Sequence, residues 1–556
     1  MHNQPISPIA LSVIWNGFLS IAEEMGTTLQ MTAFSEAVRE GQDFSTAIFD
    51  SRGRLVAQGN FTPGHLGSMP YVIKSIMEIF PPGALKPGDG VLLNDSKLGS
   101  GHYPDFFFVS PVFLESTLIG YLINTAHHID VGGAAPGSQK VQGISERFQE
   151  GLRILPVRVL RGGEFDEDIL RLILGNVRLP EILRGDLTAQ RNANFVGAQR
   201  LAKLYQEHGP ELIARAIDEI LDRSEARMRE LIRAIPDGRY SAEDWLDACG
   251  EECGPIKVAV DIDVAGDEIT VDFSRSSDQV PVALNSYINY TRAYTLFSIK
   301  VFTDALLPQN GGMIRPIHVK AREGSFFNPR EPAPSGGRAI IQIRIFEVIN
   351  GALAQALPDK AFSAFSHWSN PNIGGLDPRT DKPFVMYDLM FGGYGARAGH
   401  DGAEALSPVV NCANIPVEVH ETINPVLVRR FELIADSGGA GRWRGGCGIR
   451  KDIELKAETA VMTLLGERHS HPGSALAGGE PGSLASTTVL SGNERVEMGS
   501  KDVRALKRGD VVSFRLNGGA GWGQARERDP DRVADDVAEG YVSAAAAKRV
   551  YGWRGA

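Results

Sequence analysis

VLLNDSKLGSGHYPDFFFVSPVFLESTLIGYLINTAHHIDVGG, residues 91–133, contains two runs rich in aromatic and β-branched residues, Phe106–Phe113 and Leu118–Thr125. The short, partly polar Leu114-Glu115-Ser116-Thr117 lies between them. That pattern predicts an antiparallel hairpin. Pro111 inside the first run suggests an edge strand or a bulge. With Glu115, Ser116 and Thr117 as a three-residue loop, Leu114 pairs with Leu118, and the register carries Asp105 opposite His127. Neighbours across such a ladder lie ~5 Å apart. Strand side chains alternate, so only one of His127 and His128 shares a face with Asp105, and the pairing favours His127. His102 and Asp105 form an HxxD just before the first run. Two imidazoles and a carboxylate at one end of a hairpin suit a divalent metal. Histidines beside glycine loops are commonly plain surface residues. Here, however, three of the 12 histidines of the chain crowd into this one stretch, beside two aspartates. Asp130-Val131-Gly132-Gly133 punctuates the strand, which frees His128 to turn back over the metal as a proton carrier or a second-metal ligand. The alternative is a histidine hydrogen-bonded within the fold.

On the N-terminal side, Pro8–Val38 carries helical apolar periodicity and reads as one or two helices. A second hairpin follows, Asp43–Asp50 and Leu55–Ala57, turning at Ser51–Arg54. Asp43 at its mouth is a turn former or a further ligand. His65 lies in GNFTPGHLGSMP, a glycine-flanked loop before a helix expected over Met69–Phe80, with Ser68 as N-cap. Such a loop can hold a functional group.

On the C-terminal side, GGAAPGSQKVQGISERFQEG is a loop in which Glu146 and Arg147 could line a site. Asp166–Asn176 is helical, and Arg184–Ile235 predicts a helical hairpin broken at Gly209-Pro210. Gly238–Phe273 alternates as strands, Tyr287–Ala305 is helical, Asn310–Pro329 is turn–strand–turn, and Ile340–Leu357 is helical. From Phe384 onward strands and glycine turns dominate. Two of those turns, GGYGARAGHDG and SGGAGRWRGGCG, match neither a phosphate loop nor a dinucleotide fingerprint. Asp529–Gly552 returns to short helices. The expected class is α+β, mixed and multi-domain: a metal-site domain (1–183), a helical hairpin (184–237), an α+β middle (238–383), a glycine-rich β domain (384–528) and a helical tail (529–556).

A chain of 556 residues exceeds one compact core. Its net charge of −11, with no basic run, argues against a nucleic-acid partner. No run of about 18 apolar residues predicts a membrane span. The first residues lack the basic start of a secretory signal. Four cysteines suit a reducing compartment, so a cytoplasmic location is expected. Cys249 and Cys253 form a CxxxC with no second pair to complete a zinc site.

NDSKLGSGHYPDF, NTAHHIDVGG, GQDFSTAIFD, PGHLGSMP, NGGMIRPIHV, GSFFNP, NCANIPVEVHE, DSGGAGRWRGGCGIRKDI and PDRVADDVAEGYVSAAAAKRVYG together resemble the hydantoinase B/oxoprolinase family, in order and over essentially the whole chain. The family is similar to the metal-bearing subunit of acetone and acetophenone carboxylases and to one subunit of ATP-dependent hydantoinases, oxoprolinases and lactamases. Position by position, the resemblance implies His102, Asp105 and His127 as metal ligands, with Asp43 a fourth. The ion would be zinc, manganese or iron. It also implies a hetero-oligomer with a hydantoinase A-type subunit that uses ATP to phosphorylate the substrate, while this subunit receives the activated cyclic amide. Asp43, His65, His128 or Asp130 would carry the proton. Ser96 and Lys97 after Asp95, and Ser100-Gly101 before His102, depart from the usual family pattern on the substrate side. The chain lacks the extra length of large acetone carboxylase subunits, which favours hydrolysis over ketone carboxylation. A non-catalytic assembly role, with structural histidines, is the reading of another class.

Overall fold

In the computed structural model, which describes residues 6–81 and 83–555, the first element is α1 (Pro8–Thr32). Ser7 caps it by accepting from Ala10 N, and Pro8 takes the first helical position, where no N–H is needed. Leu11, Ile14, Phe18, Ile21, Met25 and Leu29 recur at helical spacing and form its buried stripe. Ser35 caps the short α2 (Glu36–Arg39), so the first apolar run resolves into two helices. Then come β1 (Phe44–Asp50), β2 (Leu55–Gln58), α3 (Pro63–Ile79), β3 (Gly90–Leu93), β4 (Asp105–Leu114), β5 (Thr117–His127), β6 (Val157–Arg161) and β7 (Glu164–Phe165). The seven strands form one antiparallel sheet in the order β2-β1-β5-β4-β3-β6-β7.

The β4–β5 hairpin is the middle of that sheet, and its pleat sorts its side chains onto two faces. Phe107, Val109, Tyr121 and Ile123 join Met69, Val72 and Ile76 of α3. Leu122 and Ala126 face α1 and the helix that follows α4 (Glu167–Leu174), namely α5 (Pro180–His208). Phe106 and Phe108 pack with Leu170 of α4 and Leu183 and Leu187 of α5. Each such side chain taken fully from water contributes roughly 1.5–3 kcal/mol.

Asp105 pairs with His127, as expected, but the turn differs. Leu114 pairs with Thr117, leaving a two-residue turn of Glu115 and Ser116, with Glu115 at a φ of 54°. A bulge between Val112 and Phe113 shifts the register by one residue and restores the pairing from Val112↔Gly120 inward. Pro111 sits where β4 has outrun β3, whose pairing ends at Val91↔Val109, so its missing N–H breaks no ladder on that side.

The start of α3 departs from expectation. The helix begins at Pro63, six residues before Met69, and His65 lies in its first turn rather than in a loop. Ser68 is not the cap; its hydroxyl donates back to Gly64 O at 2.6 Å. Gly64 and Gly67, which read as loop residues by propensity, are helical because another helix needs the space. A Cβ on Gly67 would meet Ala293 Cα at 2.5 Å, and one on Gly64 would meet the Tyr290 and Tyr294 rings at 2.7 Å.

Beyond α5 run α6 (Pro210–Arg233), β8 (Gly238–Leu246), β9 (Ile256–Ala265), β10 (Glu268–Asp272), α7 (Ile288–Asp304), β11 (Ile317–Lys320) and α8 (Ile341–Leu353). The sheet β11-β10-β9-β8 and the helices α7 and α8 share one core. The C-terminal half holds two further antiparallel sheets. One contains β12 (Asn370–Asp377), β13 (Lys382–Tyr387), β16 (Thr459–Leu465) and β19 (Val503–Lys507). The other is built from β14 (Val426–Leu433), β15 (Ile449–Leu455), β17 (Ser486–Ser491), β18 (Glu494–Met498) and β20 (Val511–Arg515). The chain is therefore α+β and multi-domain, with mixed helices and several antiparallel sheets. No described helix is long and apolar enough to cross a membrane.

Candidate metal centre

Three strand ends meet at one edge of the first sheet. Asp43 precedes β1, Asp105 opens β4 and His127 closes β5. The sheet hydrogen bonding continues into the corner, where His127 N donates to Asp43 O at 3.0 Å. His102 sits in the turn entering β4, and His65 projects from the first turn of α3. All five side chains are buried. Asp105 is shared between them. Its Oδ1 lies 2.9 Å from His102 Nε2 and 3.0 Å from His127 Nδ1. Its Oδ2 lies 3.1 Å from His65 Nε2. Asp43 is more distant: Oδ1 is 3.9 Å from His65 Nε2, and Oδ2 is 3.9 Å from His127 Nδ1. One donor atom from each of His102, Asp105 and His127 falls within 4.8 Å of the others.

The state of His102 can be worked out from its neighbours. Burial, then the Arg338 charge, pushes its pKa down to about 4 against the pull of Asp105, so it is neutral near pH 7. Its Nδ1 lies 3.2 Å from Gly336 O, and a carbonyl only accepts, so Nδ1 carries the proton. Nε2 is then a bare lone pair. It faces Asp105 Oδ1 and has no hydrogen-bond donor of its own. Two buried acceptors held this close repel unless a cation or proton lies between them. A neutral histidine fixed by a carbonyl on its far nitrogen is the usual form of a metal ligand. On its far side His127 Nε2 lies 3.2 Å from the Gln139 side-chain amide, which with its oxygen turned to the ring accepts an Nε2 proton and leaves Nδ1 bare toward Asp105. The donor set fits a divalent ion.

The rest of the cavity comes from distant parts of the chain that no local pattern marks. With the open solvent at its mouth included, its space comes to about 440 Å³. Tyr290 of α7, Arg338 just before α8 and Gln342 within α8 reach it from the middle of the chain, and Trp368, Tyr387, Leu389, Phe391, Val410 and Cys412 from the C-terminal half. Arg338 Nη2 donates to Asp105 Oδ2 at 2.6 Å, its Nε donates to Ser100 O at 2.6 Å, and its guanidinium lies 4.0 Å from the Tyr290 ring centre. Burial alone would push the Asp105 carboxyl up; the fields of His102, His65 and Arg338 outweigh it and hold it well below the carboxylate range. Glu150 fixes the loop that carries Arg338. Its Oε1 accepts from Ser335 N at 2.6 Å and Gly336 N at 2.5 Å. Tyr387 OH donates to Asp43 Oδ2 at 3.3 Å, and burial, reinforced by Asp43, pushes its phenol well above the usual value.

Four residues that the sequence singled out do not reach the cavity. His128 N donates to Pro104 O at 2.8 Å, so the ladder continues one residue past β5 and the alternation sends His128 to the opposite face. There its Nε2 lies 3.2 Å from Gln190 Oε1 of α5, and its ring lies 4.5 Å from Phe106. Asp130 anchors a turn instead, accepting from Gly132 N, Gly137 N, Arg178 N and Arg178 Nη1 at 2.9–3.1 Å. Neither Glu146 nor Arg147 lines the cavity; Glu146 closes a capping box and Arg147 pairs with Glu331.

The position of His128 has a consequence in acid. Burial lowers its pKa to about 3, whereas an unfolded histidine titrates near 6.5. Above that value both states are neutral. As pH falls from there toward 3, the unfolded chain binds a proton that the folded chain refuses, so stability is lost at about 1.4 kcal/mol per pH unit. His128→Gln is expected to remove that one-proton slope. Urea unfolding of both proteins at pH 6.5 and pH 5 measures it, and an unchanged difference between the two pH values would sink the assignment.

A family model described as Hydantoinase B/oxoprolinase matches residues 7–525. The B-type subunit of a putative D-/L-hydantoinase from Pseudomonas sp. (strain NS671) is 31% identical over 573 residues, covering 98% of this chain and 95% of that one. The crystal structure of ATP-dependent caprolactamase from Pseudomonas jessenii superposes with a TM-score of 0.92 at 29% identity, covering 99% of this chain and 96% of that one. A nucleotide-free acetone carboxylase structure shares the fold, with a TM-score of 0.91 at 19% identity over 98% of this chain and 79% of that one.

Proposed function

The chain belongs to the hydantoinase B/oxoprolinase family, and on that footing we propose that it is the metal-bearing subunit of an ATP-dependent cyclic-amide hydrolase, working in a hetero-oligomer with a hydantoinase A-type subunit. The bare His102 Nε2 lone pair facing Asp105 Oδ1 in a buried cavity carries this reading. His102, Asp105 and His127 would hold the ion, with Asp43 beside them, and two imidazoles with a carboxylate admit zinc, manganese or iron. Such an ion, when bound, would supply Lewis-acid stabilisation of the charge on the oxygens of the activated group.

The remaining steps fall to this chain's own groups. The partner subunit spends ATP on the amide oxygen, and the activated ring enters the cavity. His65 holds the proton: its Nε2 stands between Asp105 Oδ2 and Asp43 Oδ1, and its Nδ1 lies 3.4 Å from Ser45 Oγ. An imidazole there can take a proton from water attacking the activated carbon and return it to the ring nitrogen as the C–N bond breaks; the acyl phosphate left behind is cleaved by a second water to carboxylate and inorganic phosphate. The apolar wall keeps other water out. Of the other candidate carriers, Asp43 remains at the cavity, while His128 and Asp130 lie too far into the protein body to touch a substrate.

The chain co-expressed with its A-type partner tests this. It is expected to purify as a complex carrying a divalent metal and to open a lactam or hydantoin ring only with ATP, at a rate that ignores bicarbonate. Bicarbonate consumption would assign it to ketone carboxylation instead, and a complex active without metal would leave these histidines a structural role.

A further inference from the structure

We propose that the cyclic amide accepted by this cavity carries no ionised substituent: its ring rests on an apolar wall, and the one permanently cationic side chain at the cavity is already committed. This rests on the amide-hydrolase reading above and narrows its substrate class. Among the described residues lining the cavity, Arg338 alone has a permanent positive charge. All three of its guanidinium nitrogens are engaged. Nε donates to Ser100 O at 2.6 Å, Nη1 to Tyr290 OH at 3.2 Å, and Nη2 to Asp105 Oδ2 at 2.6 Å and Ser100 Oγ at 3.2 Å. The residue is only 4% exposed, and its charge is spent on Asp105. Beyond the ion at the polar corner, where the amide sits, a ring carboxylate entering here would find no free cationic side chain and would face Asp43 and Asp105.

The rest of the lining offers a carboxylate no second cationic side chain. Leu389, Phe391, Val410 and Ala339 present hydrocarbon and aromatic surface, and Trp368 adds a neutral indole N–H without an acceptor. Asn370 Nδ2 donates to Asp388 O at 2.7 Å, and Gln342, whose Oε1 accepts from Tyr290 OH and Tyr294 OH, has only neutral N–H groups to offer. A buried ionised group without a partner is strongly disfavoured, whereas methylenes against such a wall are favoured. The wall therefore selects an uncharged ring and leaves only its amide for the polar corner.

A matched pair of substrates tests this. 2-Pyrrolidinone and 5-oxoproline are the same five-membered lactam and differ by one carboxylate; ε-caprolactam adds a larger uncharged ring. With the complex and ATP, at least one uncharged lactam is expected to exceed 5-oxoproline in kcat/KM by about tenfold or more. Val410→Lys, which adds an ammonium to the wall, is expected to narrow or invert that ratio. An equal or higher kcat/KM for 5-oxoproline in the unaltered complex overturns the proposal while leaving the hydrolase reading standing. If no lactam is opened and a ketone is carboxylated with bicarbonate, the hydrolase reading falls and this proposal with it.

Discussion

Replacing His102 and His127 together by alanine is expected to leave a folded chain that holds no divalent metal and, in the complex, has lost at least about a thousandfold in ring-opening rate. Both imidazoles are buried at 2% exposure, yet both line a cavity, so their removal enlarges an existing space rather than opening a void inside close-packed core. Neither imidazole donates a bond on which a sheet depends. The hairpin is held by its backbone ladder from Asp105↔His127 to Leu114↔Thr117, which alanine preserves. Loss of two of three ligands leaves Asp105 alone, with Asp43 to one side, and a pair of carboxylates does not retain zinc, manganese or iron against a chelator. Elemental analysis after dialysis, with far-UV circular dichroism to confirm the fold, gives the answer. Metal content equal to the unaltered chain would refute the ligand set.

How much of this site could be read from the sequence follows from where its parts come from. Asp105 and His127 were legible because a hairpin is a local object: two β-rich runs and a short connection set the pairing. That reading reached the right register through a turn one residue too long, since the bulge at Val112 and Phe113 restores what the tighter turn removes. His65 was seen as a candidate, but its placement in a loop reflected glycine propensity. Gly64 and Gly67 are helical because α7 approaches too closely for any side chain, a tertiary demand invisible in a window of neighbours. For His128 the glycine pair after it left two readings open, turned back over the metal or hydrogen-bonded within the fold, and its contact with Gln190 Oε1 matches the second. Gly132 and Gly133 do have positive φ, at 85° and 81°, but the ladder ends at His128 rather than before it. Arg338 was beyond reach altogether. It lies 233 residues from the carboxylate it pairs with, in a segment whose glycines announce only a turn. The hairpin register and the family resemblance pointed to the same candidate ligands, and the fold supplied what surrounds them.

Arg338→Met is expected to be the costliest single change at this site. Met is of similar length and apolar, so it fills the space beside Tyr290 but removes the cation. Asp105, 0% exposed, is then left with Ser100 and His65 on Oδ2. Breaking a buried pair by deleting one partner costs about 3–5 kcal/mol, most of it from the charge left behind. The acid dependence shifts as well. In the unaltered protein the Asp105 carboxyl is held well below its unfolded value of about 3.9, so its contribution is complete above that pH and is lost as pH falls below it. Without Arg338 one of the fields holding it down is gone, the folded value rises, and that contribution shrinks. Asp105→Asn should cost a similar amount, because it leaves the guanidinium buried without a counter-charge. The double variant Asp105→Asn with Arg338→Met removes both charges and is expected to be less destabilised than the two singles summed, by ~1–3 kcal/mol. Urea unfolding in the presence of a chelator, which sets the metal contribution aside, measures all four proteins. If the two substitutions simply add, the ion pair is not what holds this corner together, and Arg338 acts through its stacking on Tyr290 instead.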